Sequence, residues 1–212
     1  MIAPEGWPFV WVPLGLGGGA LFLGWSWLGW PLVVLGLFAL YFFRNPDRHC
    51  DHSADVACSP ADGKVIVVGS APDDLAARGL PRQISVFMSV FDVHVNRAPA
   101  DGELVDYQYN KGRKISAFKE KASLENEQNL SVWEGNLGRI ALKQIAGLVA
   151  RRIVFDHHPG DTVNRGDRIG LIRYGSRVDI FLPDNAQVLV RVGDRVRAGE
   201  SPMAILGRSA ES

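Results

Sequence analysis

Two patterns of apolar and polar positions divide this chain. From Gly6 to Phe43 there is no Asp, Glu, Lys or Arg. As a single helix this run of about 38 residues would reach about 57 Å at 1.5 Å per residue, against about 20 residues for one crossing of a bilayer core. Gly15, Gly17, Gly18 and Gly19 interrupt it, and Trp25-Ser26-Trp27-Leu28-Gly29-Trp30-Pro31 marks its middle. The pattern therefore predicts two short helices, Pro8–Leu23 and Leu28–Phe43, joined by a Trp-rich turn. Trp7, Trp11, Trp25, Trp27, Trp30 and Tyr41 fall near the expected boundaries, where an aromatic ring can keep its polar atom wet. Arg44 and Arg48 follow at once, which places the remainder on the cytoplasmic side of the cell membrane. A cleaved signal peptide fits poorly, since no basic residue precedes the run and no small-residue cleavage pattern ends it. A spanning hairpin and one that dips into a single leaflet both satisfy the pattern.

Past Asp47, short β-branched runs are punctuated by Gly, Pro, Asp and Asn. They predict strands at Lys64–Val68, Ile84–Met88, Gly102–Tyr109, Leu130–Glu134, Gly138–Lys143, Arg151–Phe155, Asp167–Tyr174, Val178–Leu182 and Gln187–Val192. Pro72–Arg78 suits a turn or two of helix, and Gln144–Ala150 suits either a helix or the continuation of a strand. Lys111–Asn129 is polar and charge-rich and reads as a solvated or mobile loop. Gly160-Asp161-Thr162-Val163-Asn164-Arg165-Gly166-Asp167 is echoed by Gly193-Asp194-Arg195-Val196-Arg197-Ala198-Gly199-Glu200. Such a unit is a strand–turn–strand in which Gly takes the unusual φ and the carboxylate caps turn amides. Biotinyl- and lipoyl-carrier folds use similar units, but neither copy has a lysine at its tip, so the echo predicts architecture and not carrier function. The expected fold is mainly β (α+β): a β-rich domain over residues 49–212 with sandwich-hybrid-like hairpin repeats, preceded by a hydrophobic helical hairpin over residues 1–48.

Charge changes this picture little. The 212 residues hold 23 basic and 23 acidic side chains, and no nucleic-acid partner is expected. Cys50 and Cys58 lie close together. A disulfide would fit there, but two cysteines without a motif read better as thiols in a reducing cytoplasm. A zinc site from Cys50, His52 and Cys58 with His49 matches no standard spacing, and no metal is expected.

Three polar clusters interrupt the strand-like sequence. Ser59-Pro60-Ala61-Asp62-Gly63-Lys64 reads as a turn with its carboxylate bonded to local amides. In Phe91-Asp92-Val93-His94-Val95-Asn96-Arg97-Ala98-Pro99 the alternation puts Asp92, His94 and Asn96 on one face of an extended segment. That segment is either a plain edge strand or a chemical one. The third is Gly175-Ser176, within Arg173-Tyr174-Gly175-Ser176-Arg177-Val178-Asp179. Gly-Ser between strands can be a tight turn. It can also be a hydroxyl pressed against the preceding carbonyl. His157-His158-Pro159 reads as an exposed turn. An acid, an imidazole and a serine are the parts of nucleophilic catalysis, yet there is no Gly-x-Ser-x-Gly elbow.

Taken in order, Glu5-Gly6-Trp7-Pro8-Phe9, Tyr41 to Arg48, Ser59 to Gly63, Phe87 to Arg97, Ile145-Ala146-Gly147 through Ile153, and Arg173 to Asp179 resemble the short, membrane-associated phosphatidylserine decarboxylase proenzymes. The resemblance implies a chain that cuts itself between Gly175 and Ser176. The products would be a large chain, 1–175, and a small chain, 176–212, held together as a heterodimer. Ser176 would become a covalent pyruvoyl cofactor that forms a Schiff base with phosphatidylserine and accepts electrons as CO₂ leaves. Asp62 matches the family's acidic processing residue and His94 a histidine of its decarboxylation site. Longer members carry a second histidine where this chain has Arg97. Since that second histidine is absent, His94 is expected to serve both steps with Asp62 orienting it. Arg97, whose charged fork suits a phosphate or carboxylate, and Tyr174 are the expected substrate contacts. Alternative expectations are decarboxylation of archaetidylserine and a non-enzymatic membrane-anchored β adaptor.

Overall fold

The computed structural model describes residues 1–112, 126–147, 152–173 and 175–207. The chain forms two compact units, Met1–Asp47 and Arg48–Ser212.

In the first unit a 3-10 turn, Pro4–Gly6, leads into helix α1 (Trp7–Phe22) and then α2 (Ser26–Phe42). Pro8 lies in the first turn of α1, where a missing N–H leaves no bond unmade. Gly24, at φ 79°, turns the chain between the helices. The two ends of the hairpin are tied: Ala3 N–H donates to the Phe43 carbonyl at 2.8 Å and Asn45 N–H to that of Met1 at 2.7 Å. A Cβ on Gly17 would lie 3.0 Å from the Gly29 carbonyl oxygen, so small residues are what let the helices approach. Phe22, Trp11 and Trp27 stay exposed. Among the described residues no helix is long and apolar enough to cross a membrane.

The second unit contains β1 (Val56–Cys58), β2 (Gly63–Ser70), helix α3 (Asp73–Ala76), β3 (Arg82–Met88), β4 (Val95–Arg97), β5 (Gly102–Asn110), β6 (Gln128–Gly135) and β7 (Gly138–Ala146). It continues with β8 (Ile153–Phe155), β9 (Thr162–Val163), β10 (Arg168–Ile172), β11 (Ser176–Leu182), β12 (Gln187–Val188), β13 (Arg195–Val196) and β14 (Pro202–Ile205). Eight strands make the main antiparallel sheet in the order β13-β2-β3-β11-β7-β6-β5-β9, and two three-stranded sheets run β4-β10-β8 and β1-β14-β12. Strand β11 is central, paired with β3 and β7, and every one of its residues is buried. A strand buried on both faces has no reason to alternate, which is why Val178–Leu182 is nearly continuous in apolar residues.

The register sorts side chains by face. Ser176, Val178, Ile180 and Leu182 share a face with Met88, Val86 and Ile84 of β3 and with Ala146, Gln144 and Leu142 of β7. This face forms the main core with Ile153, Ile169, Ile172, Ala57, Met203 and Ala204 from the two small sheets. The opposite face packs Phe181, Ala141, Leu130 and Val132 against Leu75 and Leu80 around α3. There the Arg177 guanidinium grips Asp179 at 2.6 and 3.2 Å and donates to Ser85 Oγ at 2.9 Å. Burial pushes the Asp179 carboxyl up, and Arg177 pulls it only part of the way back.

Gln144–Ala146 continue β7, which settles the helix-or-strand question for the part described. Gln187–Val192 shortens to two paired residues, and Asp167–Tyr174 ends at Ile172, with Tyr174 outside the described residues. Residues 113–125 of the expected loop and Arg151 also lie outside them, while Gln128 and Asn129 already belong to β6. The echoed units are turns with Gly160, Gly166, Gly193 and Gly199 at φ 97°, 90°, 105° and 72°. The Asp161, Asp167 and Asp194 carboxylates accept backbone N–H bonds at 2.8 Å from His158, Asn164 and Arg191. The cysteines depart from expectation: Cys50 and Cys58 form a disulfide across a Cα separation of 6.6 Å. Arg165 draws this segment together by donating to the carbonyls of Ser53, His52, Val56 and Cys50 at 2.5 to 3.3 Å.

Candidate active site

The three polar clusters converge around Met88, at the end of β3. Ser176 opens β11 directly opposite it, and the Ser176 hydroxyl, fully buried, donates to Met88 Sδ at 3.3 Å. Asn96 of β4 donates its Nδ2 to the same sulfur at 3.7 Å. Gly63, closing the Ser59–Gly63 turn, sits so close that a Cβ there would run into the Phe87 carbonyl and lie 3.3 Å from Met88 Cα. Only glycine fits, at φ 145°. Arg97 N–H donates to the Pro60 carbonyl at 3.0 Å, fastening that turn to β4.

Gly175 precedes Ser176 at φ 61°, in the left-handed region, so the strand starts immediately after a backbone reversal. A serine at the first position of a central strand is held by the ladder on its C-terminal side. On its N-terminal side it is joined through a single glycine.

His94 is fully buried just ahead of β4. Its Nδ1 lies 3.0 Å from the Asp92 carbonyl oxygen. A carbonyl only accepts, so Nδ1 carries a proton, and in the neutral ring the lone pair that a general base uses is then on Nε2. The His94 carbonyl accepts from Ile172 N–H at 3.3 Å, and Leu171 pairs with Val95, which brings this segment alongside the chain leading to Gly175.

Asp62 is placed differently from an acid that orients His94. Among the described residues its partners are the Arg48 guanidinium, through both carboxylate oxygens, and Ala198 N–H at 2.8 Å. Burial pulls the Arg48 pKa down, but the Asp62 hydrogen bond and charge, with Glu200 beside it at 3.5 Å, outweigh that and the net shift is upward. Arg48 therefore stays charged and fixes Asp62.

Asp92 does not share the strand face that the alternation suggested. Its Oδ2 accepts from Ser89 N–H at 2.8 Å and Ser89 Oγ at 2.7 Å, closing a turn before β4 begins. Arg97 is half-buried and spends Nη1 on the Gly166 carbonyl at 2.8 Å. Tyr174 lies outside the described residues. Of the two neighbouring histidines, His158 is exposed as expected, but His157 packs its ring on Trp133 and Phe155. Among the described residues no cluster of His, Cys, Asp and Glu is arranged to hold a metal ion. The residues that sequence reasoning left without a role are Met88, Gln144 and Asn129. Gln144 Nε2 donates to Asn96 Oδ1 at 2.7 Å, and Asn129 Nδ2 donates to Gln144 Oε1 at 2.9 Å.

The chain matches the family model described as phosphatidylserine decarboxylase over residues 35–204. It is 47% identical over 206 residues to a phosphatidylserine decarboxylase proenzyme of Syntrophotalea carbinolica, covering 97% of this chain and 96% of that one. A protein of the same name from Beijerinckia indica is 46% identical, covering 96% of this chain and 88% of its own. Another, from Magnetococcus marinus, is 40% identical, with coverages of 97% and 95%. The match takes in Asp62, His94, Arg97, Gly175 and Ser176, and the chain belongs to the phosphatidylserine decarboxylase family.

Proposed function

We propose that this chain is a proenzyme that cuts itself between Gly175 and Ser176 and then, as two chains held together, decarboxylates phosphatidylserine to phosphatidylethanolamine for phospholipid synthesis. The observation that carries the reading is the buried Ser176 hydroxyl at the first position of the central strand, behind a glycine at φ 61°. Attack by Ser176 Oγ on the Gly175 carbonyl carbon, with its proton passing to His94 Nε2, exchanges the peptide bond for an ester. Loss of the Ser176 Cα proton and breakage of its Cβ–Oγ bond free the Gly175 carboxylate. Water then replaces the nitrogen, which leaves as ammonia.

The residues around Ser176 fit the pyruvoyl group that results. The position is small, lined by Ala146 and Met88, and closed to solvent. The pyruvoyl group supplies a ketone able to engage the substrate amine and take up the electron pair left by CO₂. After the cut, β11 keeps residue 176 in place through its ladders to β3 and β7, while β13 and β14 pair with β2 and β1 of the large chain. Asp62 acts as a positioning residue, holding Arg48 and the Ala198 turn in place. Arg97, on β4 directly after Asn96, is the proposed contact for the substrate's phosphate or carboxylate, with Tyr174 as a second contact. The uncharged hairpin of α1 and α2, with Phe22 and Trp27 exposed, attaches the protein to the membrane that holds its substrate, on the cytoplasmic face.

The test is release of CO₂ from carboxyl-labelled phosphatidylserine in vesicles. The purified protein should release it, and Ser176→Ala should release none above background. An active Ser176→Ala protein would overturn the proposal.

A further inference from the structure

Three side-chain amides run head to tail through the core: Asn129 of β6 donates to Gln144 of β7, Gln144 to Asn96 of β4, and Asn96 to Met88 Sδ. Each is no more than 1% exposed. A core in need of volume alone would place aliphatic residues there, because buried amides are costly unless paired. The direction of the chain is set at its end. A thioether has lone pairs and no proton, so Asn96 turns its N–H to the sulfur, and each earlier amide must follow suit. The backbone leaves room for this: a Cβ on Gly170 would come within 3.3 Å of Gln144 Nε2. Amides aligned in this way polarise one another, and the positive N–H end emerges at Met88.

Met88 Sδ also receives the Ser176 hydroxyl, at 3.3 Å. Two good donors thus share one weak acceptor. Either gains by exchanging sulfur for an anionic oxygen that forms beside it.

We propose that the Asn96 Nδ2–H is the donor that stabilises the anionic oxygen formed as Ser176 adds to the Gly175 carbonyl, with Gln144 and Asn129 as the positioning residues that aim it. This rests on the self-cleavage reading. In that step the Oγ–C bond forms, the Oγ proton passes to His94 and the carbonyl π pair moves onto oxygen. Collapse breaks the C–N bond, and the proton returns to the Ser176 nitrogen. Asn96 exchanges an N–H···S contact for N–H···O⁻ while that charge exists.

The experiment follows chain splitting after a pulse of cell-free synthesis for the unaltered protein, Asn96→Leu and Asn96→Asp, from about pH 5.5 to about pH 9. Asn96→Leu should slow splitting by about 100-fold or more, the scale of losing one oxyanion donor. Asn96→Asp should lose rate relative to the unaltered protein as pH rises, because a carboxylic acid donates a proton as the amide does and a carboxylate cannot. A purely structural role would instead make any such loss track a loss of folded protein, followed in parallel by circular dichroism over the same pH range. The inference is overturned if folded Asn96→Leu splits within about threefold of the unaltered rate, or if the Asn96→Asp ratio stays flat with pH. Should Asn96→Leu fail to fold, the Asn96→Asp profile decides. An unaltered protein that never splits overturns the self-cleavage reading and this inference together.

Discussion

Ser176 is a strong donor held by a weak acceptor, with its neighbour Gly175 already turned out of the strand geometry. Such a hydroxyl is released at little cost when a base takes its proton. The proposed base is His94, whose Nδ1 lies 3.0 Å from the Asp92 backbone carbonyl oxygen. His94→Ala should therefore lower the rate of chain splitting by about 100-fold or more, the usual worth of a positioned base, read from the ratio of cut to uncut chain over time. Unchanged splitting in His94→Ala would remove it from the self-cleavage step. Gly175, Ser176, His94 and Asp62 were singled out in the sequence by the ordered family resemblance, since each cluster taken alone also reads as a turn or an edge strand. The partner of Asp62 was not, since the sequence does not say that Arg48 reaches both of its oxygens. Asn96 was visible as a polar residue in an alternating segment, but Gln144 and Asn129 acquire meaning only once register places one opposite the other.

At the scale of elements, β11 carries opposite loads on its two faces. One presents Ser176 to the core, and the other buries Arg177 and Asp179, which are 3% and 1% exposed. Truncating one member of such a pair leaves an uncompensated charge, so Asp179→Ala should cost about 3–5 kcal/mol in denaturant unfolding of the uncut Ser176→Ala background. Replacing both by leucine in that background should recover most of the loss, since the desolvation cost of the pair disappears with it. A single replacement that costs under about 1 kcal/mol would show that the pair is not a fixed feature of the strand. The long strands were legible from their β-branched runs, and the helical hairpin from its lack of charge. Strands β1, β9, β13 and β14 were not, because two to four residues are too few to show a period. Their pairing is decided by the partner strand.

At the scale of the whole molecule, the proposed cut lies between β10 and β11, immediately before the central strand of the main sheet. The small chain would keep β11, β12, β13 and β14, which spread over the main sheet and one of the small sheets and so bind it to the large chain by many ladders. A bond cut at this place would leave the ladders of β11 to β3 and β7 unbroken, with the new chain start opposite Met88. The ordered motifs carried this division in the sequence, whereas the meeting of three distant clusters at one methionine depended on the sheet order. The central claim is that the chain makes its own catalytic group at residue 176. Intact mass of the purified protein tests it most directly. The 23.2 kDa chain should be replaced by two, about 19 and about 4 kDa by the position of the bond, with the small chain lighter by one ammonia than simple hydrolysis before Ser176 would leave it. A protein that stays at 23.2 kDa, or a small chain that begins with an intact serine, would contradict it.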